Sequence, residues 1–168
     1  MDKAVNDAVN KQIQAEMDSA YLYLAMAAYA EAKDLNGVAS WMKIQAQEEM
    51  EHAMKFYGYV YQTGGEVELL ALPKPKKDFG SILDIFEAAL DHEKLITSKI
   101  NSLYELSMKK KDYAFQSFLK WYIDEQVEEE STAADIIAQI KMIGDSKEGI
   151  FMLDKELGSR SAEEESAE

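Results

Sequence analysis

Apolar residues in this chain recur at intervals of three and four across four long stretches, and the only prolines in its 168 residues, Pro73 and Pro75, fall between two of them. A proline inside a helix removes a hydrogen bond and clashes with the preceding turn, so confining both prolines to one region leaves the rest free to run as helix. Glycines fall mostly where those stretches would stop, at Gly37, Gly64-Gly65, Gly80 and Gly144. The uninterrupted segments are far longer than strands, which predicts an all-α fold.

Composition narrows the class further. The chain is long enough for one domain with a proper core, and with 30% charged and 47% apolar residues it is globular. It has no cysteine, which excludes disulfides, thiolate zinc sites, iron–sulfur clusters and rubredoxin-type centres. Residues Met1 to Asn6 show no basic segment leading into an apolar one, and no apolar run approaches eighteen residues, so the expectation is a cytoplasmic protein with no membrane partner. A net charge of −14 argues against nucleic acid and anionic lipid and favours cations.

The first helix is expected from about Asp2 to Lys33, with Val5, Val9, Gln12, Glu16, Ala20, Tyr23, Ala27 and Ala30 facing inward. Its middle, Tyr21 to Tyr29, is apolar nearly all round, and a second apolar face needs a second partner, another subunit. The second helix, about Gly37 to Thr63, turns Val38, Trp41, Gln45, Glu49, His52, Phe56 and Tyr59 inward. The stretch from Gly65 to Gly80 has no period and is long enough to climb a bundle, which makes the second and third helices parallel. Ser81 and Asp84 form a capping box for the third helix, whose stripe is Ile82, Phe86, Ala89, Glu93, Ile96, Ile100 and Leu103. After Lys109 to Asp112 the fourth runs to about Ile143 with Phe115, Leu119, Tyr122, Gln126, Glu129, Ala133, Ile136, Ile140 and Ile143 inward. A short fifth helix, about Ser146 to Leu157, presents Ile150, Leu153 and Leu157 and is expected to dock on a neighbour. Residues 1–158 then make one domain, and 159–168 an acidic tail without regular structure.

Each long stripe is broken by groups that do not belong in a core: Glu16, the pair Glu49 and His52, Glu93, and the pair Gln126 and Glu129. Residues three apart on a helix share a face, so Glu49 and His52 can hold one cation together. Alone, a Glu-x-x-His pair is ordinary on helix surfaces. Four helices each contributing such a group is not, because every unpaired buried charge costs several kcal/mol. Four carboxylates offset two divalent ions, and oxygen ligation with one imidazole suits iron or manganese. A first ion would take Glu16, Glu49 and His52; a second would share Glu49 and take Glu93 and Glu129, with Gln126 near it and Tyr23 beside the pair.

Gln47-Glu48-Glu49-Met50-Glu51-His52, His92-Glu93 and Trp121 to Glu130 together resemble the bacterial and archaeal non-haem ferritins over about residues 2–157. The resemblance implies a ferritin-like four-helix bundle with a long crossover and a short fifth helix. It implies a cage of twenty-four subunits that oxidises Fe(II), with dioxygen or hydrogen peroxide as oxidant, at a di-iron ferroxidase centre and stores ferric mineral. By the match the second iron site would also use Gln126, and a third iron site would fall on Glu48, Glu125, Glu128 and Glu129. Bacterioferritins resemble it less. They carry a second Glu-x-x-His on the fourth helix, where this chain has Gln126-Val127-Glu128-Glu129, so Met50 is expected at an interface or in the core and haem is not expected. His92 is expected on the surface or beside the site and not as a ligand, and Trp41 and Trp121 in packing. Two alternatives compete: a soluble di-iron peroxidase of the rubrerythrin kind, which the missing cysteines deprive of its usual electron path, and a helical scaffold without metal chemistry.

Overall fold

A computed structural model describes residues 1–160. Five helices follow one another: α1 Lys3–Glu31, α2 Asn36–Gln62, α3 Ile82–Lys110, α4 Tyr113–Ile143 and α5 Lys147–Leu157. Their starts are chemically marked. Asp2, Asp112 and Ser146 each accept a hydrogen bond from a first-turn N–H of α1, α4 and α5, and Ser81 and Asp84 close the expected capping box on α3. At the other end of α3, Lys109 and Lys110 lie in the last turn, favourable for the dipole, and Lys111 takes a left-handed conformation with φ 54°.

The stripes are buried as the spacing requires; only Ile82, Ile143 and Ile150, near helix ends, are half-buried. Two apolar clusters result. One gathers the C-terminal half of α1, the N-terminal half of α2, the start of α3 and the end of α4 around Met26, Trp41, Met42, Phe86 and Ile137. The other gathers the opposite ends of the same helices around Val9, Phe56, Ile100, Phe115 and Tyr122. Helices α2 and α3 therefore run parallel, as the long connection demands. Between the two clusters lies the level of Glu16, Glu49, Glu93 and Glu129, the polar middle of an apolar rod.

The climbing connection is strapped to α1 by side chains one helical turn apart. Asn6 donates to the Glu66 carbonyl and accepts from the Glu66 N–H, Asn10 donates to the same carbonyl and accepts from the Glu68 N–H, and Gln14 donates to the Ala71 carbonyl. Four residues of helix rise about 6 Å and two of extended chain about 6.6 Å, so Asn6 and Asn10 meet the N–H groups of residues 66 and 68 in step, while Gln14 reaches three residues further on.

The fifth helix corrects one expectation: it docks on its own chain. Leu153 and Leu157 join the first cluster against α2 and α4. The residue before α2, Leu35, offers no side-chain cap, and Asp154 supplies one from α5, accepting the Val38 N–H at 2.9 Å. The approach demands Gly37, since a Cβ there would lie 1.5 Å from the Asp154 carbonyl oxygen. Tyr21 and Leu24 on α1, and Met50 and Met54 on α2, remain exposed on the single chain. Of the two places expected for Met50, the core is thus excluded.

Candidate metal centre

Glu16 comes from the middle of α1, where Gln12, one turn earlier, donates to its Oε1 at 2.9 Å. Glu49 and His52 come from α2, with His52 Nδ1 3.6 Å from Glu49 Oε2. Potential ligand atoms of Glu16, Glu49 and His52 lie within 4.8 Å of one another, all three residues buried. Oε2 of Glu16 and Oε2 of Glu49 meet no hydrogen-bond donor. Such orphaned oxygens cost free energy wherever water cannot reach them, and they are what a cation would satisfy.

The electrostatics carry the same message. Burial, with the Glu93 charge adding to it and the Gln12 hydrogen bond opposing, pushes the Glu16 carboxyl up to about 7. Glu49 is pushed well above the usual carboxylate range, by burial first and then by Glu93, Glu16 and Glu129. Glu93 is also raised by burial, against the hydrogen bonds of Tyr23 and Gln126. Acids that ionise only with difficulty, facing each other in a dry site, form a trap for positive charge.

A second grouping adjoins the first: ligand atoms of His52, Glu125 and Glu129 also lie within 4.8 Å of one another. Glu129 Oε2 accepts from Gln45 Nε2 at 2.9 Å. Glu93 is held differently. Its Oε1 accepts from the Tyr23 hydroxyl, and its Oε2 accepts from Gln126 Nε2 at 3.2 Å. Gln126 also donates toward the Glu93 carbonyl and Thr97, so it bridges α4 to α3. Of the residues expected at the third site, Glu125 and Glu129 share the second grouping, Glu48 pairs with Arg160, and Glu128 is exposed.

Sequence reasoning left several neighbours without a role. Gln12 and Gln45 stand on the inward stripes one turn before Glu16 and Glu49, and that position was the signal. Trp121 does more than pack: its ring meets the His52 ring edge-on at 5.2 Å, and the Lys55 ammonium sits 3.1 Å from its centroid. Tyr122 donates to the His52 carbonyl at 2.7 Å, tying the α2 ligand turn to α4. His92 lies outside both groupings, its Nε2 2.7 Å from the Ser19 hydroxyl.

The ferritin family, as a ferritin-like domain, matches residues 6–143. The bacterial non-heme ferritin of Staphylococcus aureus (strain USA300) is 39% identical over 165 residues, covering 98% of this chain and 99% of that one. A probable bacterial non-heme ferritin-like protein of Haemophilus influenzae is 37% identical over 153 residues, 91% of this chain and 93% of its own. An open-pore ferritin from the hyperthermophilic archaeon Archaeoglobus fulgidus superposes with a TM-score of 0.95 at 43% identity, over 96% of this chain and 99% of that one. A bundle with a climbing crossover, carrying acids at its dry middle and sharing this much sequence along nearly its whole length, belongs to the ferritin family, among the non-haem ferritins.

Proposed function

We propose that Glu16, Glu49 and His52 bind the first Fe(II), that Glu49, Glu93, Gln126 and Glu129 bind the second, and that the two ions form one di-iron centre. The chain is an iron-storage ferritin and a ferroxidase. Iron is its substrate and cargo. Each Fe(II) gives up one electron to the oxidant, and the ferric product passes to mineral.

The observation that carries this reading is the pair of orphaned oxygens, Glu16 Oε2 and Glu49 Oε2, buried and facing a histidine. The protein's part is to bind, orient and hold protons. Entry of Fe(II) replaces the protons that keep these acids neutral, so binding releases protons and strengthens with pH. Tyr23 and Gln126 hold Glu93 in place, while Tyr122 and Trp121 fix the His52 turn. A third ion beside His52, Glu125 and Glu129, with Glu48 and Glu128 further along, is the extension that the second grouping supports.

The chain forms homo-oligomers, and the exposed Tyr21, Leu24, Met50 and Met54 support the proposal of a twenty-four-subunit cage. No helix among the described residues is long and apolar enough to cross a membrane, which supports a cytoplasmic location. The domain organisation proposed is a ferritin-like unit over 1–158 followed by an acidic tail, of which Ser159 and Arg160 are described and 161–168 lie outside the described residues.

The test is the Glu49→Ala variant in anaerobically loaded, oxygen-pulsed protein. Ferric absorbance should rise about a hundredfold more slowly than in wild type, the upper end of what loss of a mere ligand-orienting partner costs. An unaltered rate would leave the bundle a scaffold.

A further inference from the structure

Just past α5 the chain turns back onto α2, and Arg160 comes to rest along one face of that helix formed by Trp41, Gln45 and Glu48, spaced four and three apart. Its Nη2 donates to both carboxylate oxygens of Glu48 at 3.0 Å, its Nη1 donates to Gln45 Oε1, and its guanidinium carbon lies 5.2 Å from the centroid of the Trp41 ring. Both partners of the ion pair are largely shielded, at 16% and 14% side-chain exposure. A shielded guanidinium that spreads its fork over a carboxylate and an amide oxygen while lying over an aromatic ring is held by charge-assisted bonds from two sides.

The position matters more than the strength. Gln45 accepts from Arg160 with its oxygen and donates with its nitrogen to Glu129, which shares a potential metal grouping with His52 and Glu125. Both carboxylate oxygens of Glu48, the residue that the family match assigns to an outer metal position, are taken by the guanidinium, and so is the oxygen of Gln45, which links them to Glu129. They can serve one cation at a time. We propose that Arg160 is a tethered internal cation that holds the outer carboxylate position of the centre and competes there with a metal ion. It gives way only when the ion concentration is high enough to displace it, so the outer position fills after the inner ones.

The position of Arg160 explains why α5 matters to a site it does not line. Leu153, Leu157 and the Asp154 cap set where the helix ends, and Gly158 passes near Gly37, so the reach of residue 160 is determined by that docking. The inference rests on the di-iron reading above, and its experiment separates the two. Crystals of the assembled wild-type, Arg160→Ala and Arg160→Lys proteins are soaked in a graded series of zinc concentrations, and anomalous occupancy is refined position by position. Zinc is redox-inert, so the readout is binding and not turnover.

Arg160→Ala should half-fill the position beside Glu48 and Glu129 at about tenfold lower zinc than wild type, the factor equivalent to about 1.4 kcal/mol, with occupancy at Glu16, Glu49 and His52 unchanged. Arg160→Lys, keeping charge but losing the fork, should fall between. Adding Glu48→Gln to Arg160→Ala should cancel the gain. Half-filling at the same or higher zinc in Arg160→Ala overturns the proposal. Absence of zinc from Glu16, Glu49 and His52 in every protein overturns the di-iron reading itself and the inference with it.

Discussion

Replacing Glu49 by Gln should make the metal-free protein more stable while destroying its tight metal site. Burial first, and then the Glu93, Glu16 and Glu129 charges, push the Glu49 carboxyl well above its ordinary 4.5 in the folded apo protein, whereas the unfolded chain ionises at that ordinary value. Between those two values, folding favours the protonated acid, and each pH unit climbed in that window costs the folded state about 1.4 kcal/mol. The sign follows from the raised folded value: the protonated acid's contribution to stability is full below 4.5 and is lost as pH climbs toward the folded value. Glutamine has nearly the same shape, needs no proton, and can point an N–H at the orphaned Glu16 Oε2. Wild type and Glu49→Gln should thus unfold alike near pH 4.5 and diverge above it, the variant gaining about 1.4 kcal/mol for each pH unit, on the order of 3–6 °C in melting midpoint for a chain this long. Calorimetry on chelator-stripped protein at pH 5 and 7.5 measures the gap. Zinc should invert the order by raising the wild-type midpoint and leaving the variant nearly unmoved. A variant no more stable than wild type at pH 7, with the same pH slope, would refute the idea that these acids are held neutral and in conflict.

Two other substitutions probe the supports. Tyr23→Phe removes the hydroxyl that donates to Glu93 and holds that acid's pKa down, so calorimetric zinc titration at pH 6.5 should show the second ion bound about tenfold more weakly and the first unchanged. Gly37→Ala drives a methyl into the Asp154 carbonyl, and hydrogen exchange across 147–157 should accelerate by at least about tenfold while the four long helices keep their protection.

What periodicity could reveal, it did, because burial on a helix is a local consequence of spacing. Glu16, Glu49, Glu93 and Glu129 stand on stripes whose apolar members identify the inward face without reference to other helices, and the structure buries all four. Partnerships across the bundle have no such signature. Nothing near residue 45 announces that Gln45 meets Glu129, 84 positions away, or that Glu48, one step round the helix from Glu49, meets an arginine 112 positions on. The docking of α5 was misjudged for a related reason: amphipathicity says that a face must be covered but not by what. The cover proved to be the uncapped start of α2, a deficiency visible only once Leu35 and Asp154 are side by side.

The strap along α1 has a consequence for how the chain tolerates change. Asn6 and Asn10 grip the main chain of residues 66 and 68, both its N–H and carbonyl groups, and grip none of its side chains. Any amino acid that keeps its amide hydrogen can stand at 66 and 68, while Val67 between them packs on the second apolar cluster and must stay apolar. Its arithmetic cannot drift: one residue inserted or deleted between 66 and 68 puts the second amide a half-step out of phase with the turns of the helix beneath.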